Sequence, residues 1–101
     1  HRLHYTSAKG AILAMTRSLA AELGGDGIRV NTAAYGLVTS QLNDEQFASD
    51  PAFEAKVLGA RALPVHYRAE DLGPTIVYMA AADSDHMTGQ CMVINAGEYF
   101  Y

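Results

Sequence analysis

At 101 residues, half of them apolar (50%), the sequence suits one ordinary domain and excludes more than one. Seven Lys/Arg against eleven Asp/Glu leave a net charge of −4, the wrong sign for gripping nucleic-acid phosphates. The longest uninterrupted apolar stretch, Ile76 to Ala82, falls far short of the roughly 18 residues of a membrane span, so neither nucleic acid nor membrane is an expected partner. The single cysteine, Cys91, excludes an internal disulfide and a zinc site of the paired-cysteine type, and the composition suits a reducing, cytoplasmic setting. A start at His1 with a helix signal close behind it predicts a piece of something longer.

From Tyr5 to Leu23 the residues Ala8, Ile12, Met15, Leu19 and Leu23 recur at steps of three and four, the stripe of an amphipathic helix. Gly10, Ala14 and Ala21 lie on another face, which implies burial on two sides. Gly24-Gly25 stops the helix, Asp26-Gly27 turns the chain, and Ile28 to Thr32 has strand composition. Tyr35 to Ser49 lacks a sustained period and reads as mostly loop, with at most a short helical turn. Asp50-Pro51 is an N-cap followed by a first-turn proline, opening a modest helix through about Leu58. After a loop over Leu63 to Ala69, Leu72, Ile76, Met79 and Ala80 form a further helical stripe. With Asp71 as its N-cap, Pro74 would fall in the first turn, where a missing N–H costs nothing. Cys91 to Ile94 is a continuous apolar run suited to a strand covered on both faces, and Asn95-Ala96-Gly97 closes it. Helix, strand, helices, strand predicts an α/β chain, the C-terminal part of a doubly wound Rossmann-like parallel sheet. Two parallel strands cannot bury both faces alone, so the first half of the domain is expected upstream.

Tyr5 and Lys9 are four apart and share one face of the first helix. A tyrosine hydroxyl is too weak an acid for work at neutral pH, and a fixed ammonium nearby favours its phenolate. Such a pair could exchange a proton with a substrate oxygen while hydride moves to or from the carbon. The spacing alone occurs often by chance, with Tyr5 packed and Lys9 solvated. Four further blocks follow in order: Ile28 to Gly36, Arg68 to Leu72, Met87-Thr88-Gly89-Gln90 and Asn95-Ala96-Gly97. Together with Tyr5 to Ala11 they resemble the classical short-chain dehydrogenase/reductase family over nearly the whole chain.

That resemblance implies one domain portion over residues 1–101, holding the catalytic helix, a substrate cap at about 40–62, and the last helix and strand. It implies an NAD- or NADP-dependent interconversion of an alcohol and a ketone. Tyr5 would be the acid/base, and Lys9 would assist it and hydrogen-bond the nicotinamide ribose. Gly36, Leu37 and Val38 would wrap backbone around the nicotinamide carboxamide, and Ser40 would take the place of a cofactor-contacting Thr. Tyr35 stands where the family usually has Pro, and Asn31 falls at a structural position. A small carbonyl or alcohol substrate and a homo-dimer or homo-tetramer would follow, with Gly10, Ala14, Ala21 and Tyr99 to Tyr101 as candidate subunit contacts.

Gly24-Gly25-Asp26-Gly27 follows a helix and precedes a strand, the reverse of a dinucleotide fingerprint, so the 101-residue segment alone is expected to be inactive. His1 and His4 stand at one end and His66 and His86 stand alone in loops, so no metal site is expected. Cys91 reads as a small buried hydrophobe. Asp44, Glu45, Asp50 and Glu54 make the cap acidic, and Leu42, Phe47 and Phe53 could line an apolar pocket. An alternative of another class is a noncatalytic assembly or binding module that keeps the oligomerisation surface; Tyr5 and Lys9 favour the enzyme.

Overall fold

The computed structural model describes residues 2–100, without the side chain of residue 42. The contacts expected of Tyr101 and the lining role expected of Leu42 lie outside the described residues. In chain order the elements are α1 (Leu3–Leu23), β1 (Thr32–Tyr35), α2 (Gln41–Ser49), α3 (Pro51–Gly59), α4 (Ala69–Ala80) and β2 (Cys91–Ile94). β1 and β2 pair, and Thr32 N donating to Gln90 O and Gly36 N to Ile94 O, at 2.9 and 3.1 Å, give the pair its parallel register. The described residues form two compact units. One takes the chain up to Ala33 together with Ile76–Met92, the other Ala34–Thr75 and the chain from Val93 on.

In the first unit α1 runs to Leu23, where Gly24–Asp26 tighten into a 3-10 turn and Gly27 takes φ 75°, a left-handed conformation that glycine adopts without strain. Its buried residues are Thr16 and Ala20, not the periodic stripe: Ile12 and Met15 are exposed, as are Gly10, Ala14 and Ala21. The Thr16 hydroxyl bonds the Ile12 carbonyl and meets the Thr32 hydroxyl, and the Ala20 methyl faces Gly89, where a Cβ would come within 3.4 Å. The strand expected at Ile28 to Thr32 begins only at Thr32. Upstream of it side chains supplement a single backbone bond, Gly89 N donating to Val30 O at 2.7 Å: Val30 N donates to Thr88 Oγ1 at 3.1 Å, and Asn31 both donates to Met87 O at 2.7 Å and accepts from Gln90 N at 3.1 Å. Arg29 adds a clamp, donating to the carbonyls of Ser84, Met87 and Ala81 at 2.8, 3.3 and 3.3 Å and to the Ser84 hydroxyl at 3.0 Å.

In the second unit the loop expected before Asp50 is a nine-residue helix, α2. Its anchor is the buried Phe47, whose ring lies 5.6 Å from that of Phe53 and 5.0 Å from that of His66. Asp50 caps α3 as expected, accepting from Phe53 N at 3.1 Å, with Pro51 in the first turn. α4 begins two residues before the expected cap. Asp71 sits at its third position and reaches back to Arg68 N at 2.8 Å, the acid half of a capping box. Pro74 therefore lies inside the helix, where it withholds a donor from the carbonyl of the exposed Glu70. β2 falls where expected, but Cys91 and Val93 are exposed, so the strand is not covered on both faces by the described residues and Cys91 is not a buried hydrophobe. After β2, Asn95 accepts from Gly97 N and donates to Tyr99 O, both at 3.0 Å, and Gly97 takes φ 76°. A Cβ on Gly97 would lie 2.6 Å from that of Ala62. No helix among the described residues is long and apolar enough to cross a membrane.

Candidate active site

Tyr5 and Lys9 lie on the exposed N-terminal half of α1, one turn apart, with Lys9 Nζ 5.5 Å from the centroid of the Tyr5 ring. Tyr5 is 53% exposed. Arg2 at the N-cap makes no side-chain cap bond, and the backbone ladder of the helix opens with Thr6 N donating to Arg2 O at 2.8 Å.

The other residues singled out in the sequence belong to the second unit, on the loop that follows β1. Every residue from Gly36 to Thr39 is tied down there. Gly36 N donates to Ile94 O at 3.1 Å, Leu37 O accepts from Arg61 Nη2 at 2.7 Å, Val38 O accepts from Asn43 Nδ2 at 2.8 Å, and Thr39 N donates to Tyr67 O at 2.8 Å. Ser40 stands at the N-cap of α2 in extended conformation, yet its hydroxyl makes no cap bond. Among the described residues nothing accepts from the N–H of Leu37 or Val38. The loop thus fixes its carbonyls internally and leaves two N–H donors and one hydroxyl for a ligand that carries both an acceptor and a donor, as a carboxamide does.

Two residues without a sequence signal support this loop. Arg61 is only 6% exposed and donates to Val65 O at 2.6 Å as well as to Leu37 O, with its guanidinium 4.6 Å from the centroid of the Tyr67 ring. Tyr67, 8% exposed, aims its hydroxyl at Gly36 so closely that a Cβ there would overlap it. Burial pushes the Tyr67 hydroxyl pKa up; the Arg61 guanidinium opposes this, Glu98 adds a smaller push upward, and the Gly36 backbone a small pull downward. Spacing along the chain cannot reveal such residues, since their partners lie elsewhere in the sequence.

His66 is not alone in its loop: its Nε2 lies 2.8 Å from Glu54 Oε1 and its Nδ1 3.3 Å from Thr39 Oγ1. It lines a cleft of about 320 Å³ with Thr39, Asp44, Phe47, Glu54 and Arg68. The acidic residues of the cap are largely committed, Glu54 to His66, Asp50 to its helix and Asp44 to Arg68 at 3.4 Å. The described residues hold no cluster of His, Cys, Asp and Glu fit for a metal ion.

A family model described as Enoyl-(Acyl carrier protein) reductase matches residues 1–98. The chain belongs to this family of short-chain dehydrogenases/reductases. It is 37% identical over 97 residues to a glucose and ribitol dehydrogenase homolog of Oryza sativa subsp. japonica, covering 94% of this chain and 31% of that protein. Among solved structures it resembles a 4-hydroxyisoleucine dehydrogenase complexed with NADH, with a TM-score of 0.85, 26% identity, and 93% of this chain matched to 38% of that one. A short-chain dehydrogenase/reductase described as a glucose/ribitol dehydrogenase, from Brucella melitensis, shares the fold with a TM-score of 0.85 at 23% identity, 99% of this chain covering 39% of that one. The α/β, Rossmann-like class expected from the order of elements is therefore the observed one. The chain spans roughly a third of the length of these relatives.

Proposed function

We propose that this chain supplies the proton-transfer pair and the nicotinamide-facing loop of a cytoplasmic NAD(P)-dependent oxidoreductase that interconverts a small alcohol and its ketone. The observation that carries the reading is the exposed Tyr5 with Lys9 one turn behind it, in a chain of this family. Bound nicotinamide would supply or accept the hydride. The chain's own part is the proton. In the reducing direction the Tyr5 hydroxyl gives its proton to the carbonyl oxygen as negative charge develops there, and in the oxidising direction it takes that proton back. Lys9, one turn behind, would offer its ammonium as a donor to the ribose. The N–H groups of Leu37 and Val38 and the Ser40 hydroxyl would hold the carboxamide, with Gly36 leaving room for the Tyr67 hydroxyl.

NADH in the 4-hydroxyisoleucine dehydrogenase neighbour supports a nicotinamide cofactor here, with the choice between NAD and NADP open. The test is a panel of small ketones and alcohols assayed with NADH, NADPH and their oxidised forms on the gene product of the natural open reading frame. Nicotinamide-dependent turnover of at least one of them is expected. Failure to bind either cofactor, together with no turnover across the panel, overturns the proposal.

A further inference from the structure

Arg61 is a buried cation without a carboxylate partner among the described residues. A buried charge is costly unless something compensates it, and the compensation here is two short bonds to main-chain carbonyls and the face of the Tyr67 ring. One of those carbonyls is that of Leu37. A peptide unit is planar and trans, so the C=O of Leu37 and the N–H of Val38 are one rigid group with its acceptor and donor pointing opposite ways. Holding the first fixes the second. The neighbouring units are held from other elements, by Asn43 at Val38 O and by Tyr67 O at Thr39 N, so among the described residues Arg61 alone anchors the unit that carries the Val38 donor.

We infer that Arg61 is a positioning residue for cofactor binding: by gripping the Leu37 carbonyl it aims the Val38 N–H at the nicotinamide carboxamide. This rests on the assignment of the 36–40 loop to the nicotinamide made above. Without the grip the 37–38 unit samples other orientations, and the apparent dissociation constant rises by the inverse of the fraction still correctly turned. Removing charge-assisted bonds of this kind corresponds to a loss of about tenfold or more. The loss concerns only ligands that reach the carboxamide site.

The experiment compares NADH with ADP-ribose, which lacks the nicotinamide, as ligands of the natural gene product, using direct binding and the ligand-induced rise in Tm. Arg61→Met keeps the stem and removes the donors. It is expected to weaken NADH by about tenfold while leaving ADP-ribose affinity unchanged, and to raise KM for NADH more than it lowers kcat. Arg61→Lys, which can satisfy one carbonyl at a time, is expected to fall between Met and wild type, and serves the same comparison if Arg61→Met does not fold. Arg17→Met, which removes an exposed cation from the C-terminal half of α1, is expected to change neither ligand. Equal weakening of NADH and ADP-ribose, or no weakening of NADH, overturns the role of Arg61. Wild-type protein that binds ADP-ribose and NADH equally well overturns instead the assignment of the loop to nicotinamide.

Discussion

The hydroxyl of Tyr67 occupies the space where a side chain at Gly36 would begin, and Asn95 Cβ and Glu98 Oε2 close the same space at 3.2 Å each. The glycine is required by this close approach rather than by its backbone angles. Gly36→Ala should therefore destabilise the protein by about 1–3 kcal/mol, the usual cost of overpacking. Tyr67→Phe withdraws the oxygen that collides, so the double variant should recover part of that loss in a double-mutant cycle read from urea unfolding midpoints. Strict additivity of the two substitutions would contradict this contact.

The same hydroxyl makes a pH prediction. Its pKa is raised in the fold, first by burial and then by Glu98, above the ordinary value of 10.0. A group that holds its proton more tightly folded than unfolded stabilises the fold fully below the unfolded pKa, and the stabilisation is lost as pH rises beyond it, where the unfolded chain ionises first. Stability should thus decline above about pH 10 more steeply for wild type than for Tyr67→Phe. Parallel alkaline unfolding curves for the two would rule out this titration.

Arg29 and Asp85 separate strong from weak polar contacts. Arg29 donates to three carbonyls and to the Ser84 hydroxyl, and Ser84 is 3% exposed, so Arg29→Met leaves buried acceptors without donors. A loss of about 2–3 kcal/mol in unfolding free energy is expected. Asp85 approaches Arg29 only at 3.9 Å and is largely exposed, so Asp85→Asn should cost less than about 0.5 kcal/mol. Equal effects would mean that the ion pair and not the carbonyl clamp holds this turn.

The cap on α3 offers a local check. Asp50 accepts from Phe53 N, and Asp50→Ala should cost about 1 kcal/mol, seen as a lower Tm, while Asp50→Ser should retain most of it.

These contacts also mark where the sequence was legible. The body of α1 with its stop at Gly24, the start of α3 at Asp50-Pro51 and the run of β2 rest on neighbours within a few residues, and local pattern was enough to place them. α2 was missed because its anchor is a single ring, Phe47, held by Phe53 and His66 from outside its own helix. The start of β1 moved because Thr88 and Asn31 side chains take the backbone groups a strand would have paired. The periodic face of α1 read as core although the described residues bury only Thr16 and Ala20 on that helix. Of the site, Tyr5, Lys9 and the 36–40 loop carry motifs, whereas Arg61 and Tyr67 act through contacts with residues far along the chain, Arg61 bonding Leu37 O and Tyr67 packing against Gly36. No spacing rule announces such a pair.

The most direct measurement of the central claim is the Tyr5→Phe variant of the natural gene product, assayed for carbonyl reduction and, separately, for NADH or NADPH binding. Removing only the proton donor should lower turnover by at least about a hundredfold while cofactor affinity stays as in wild type. Turnover close to wild type would contradict the role of Tyr5 and with it the placement of proton transfer on α1.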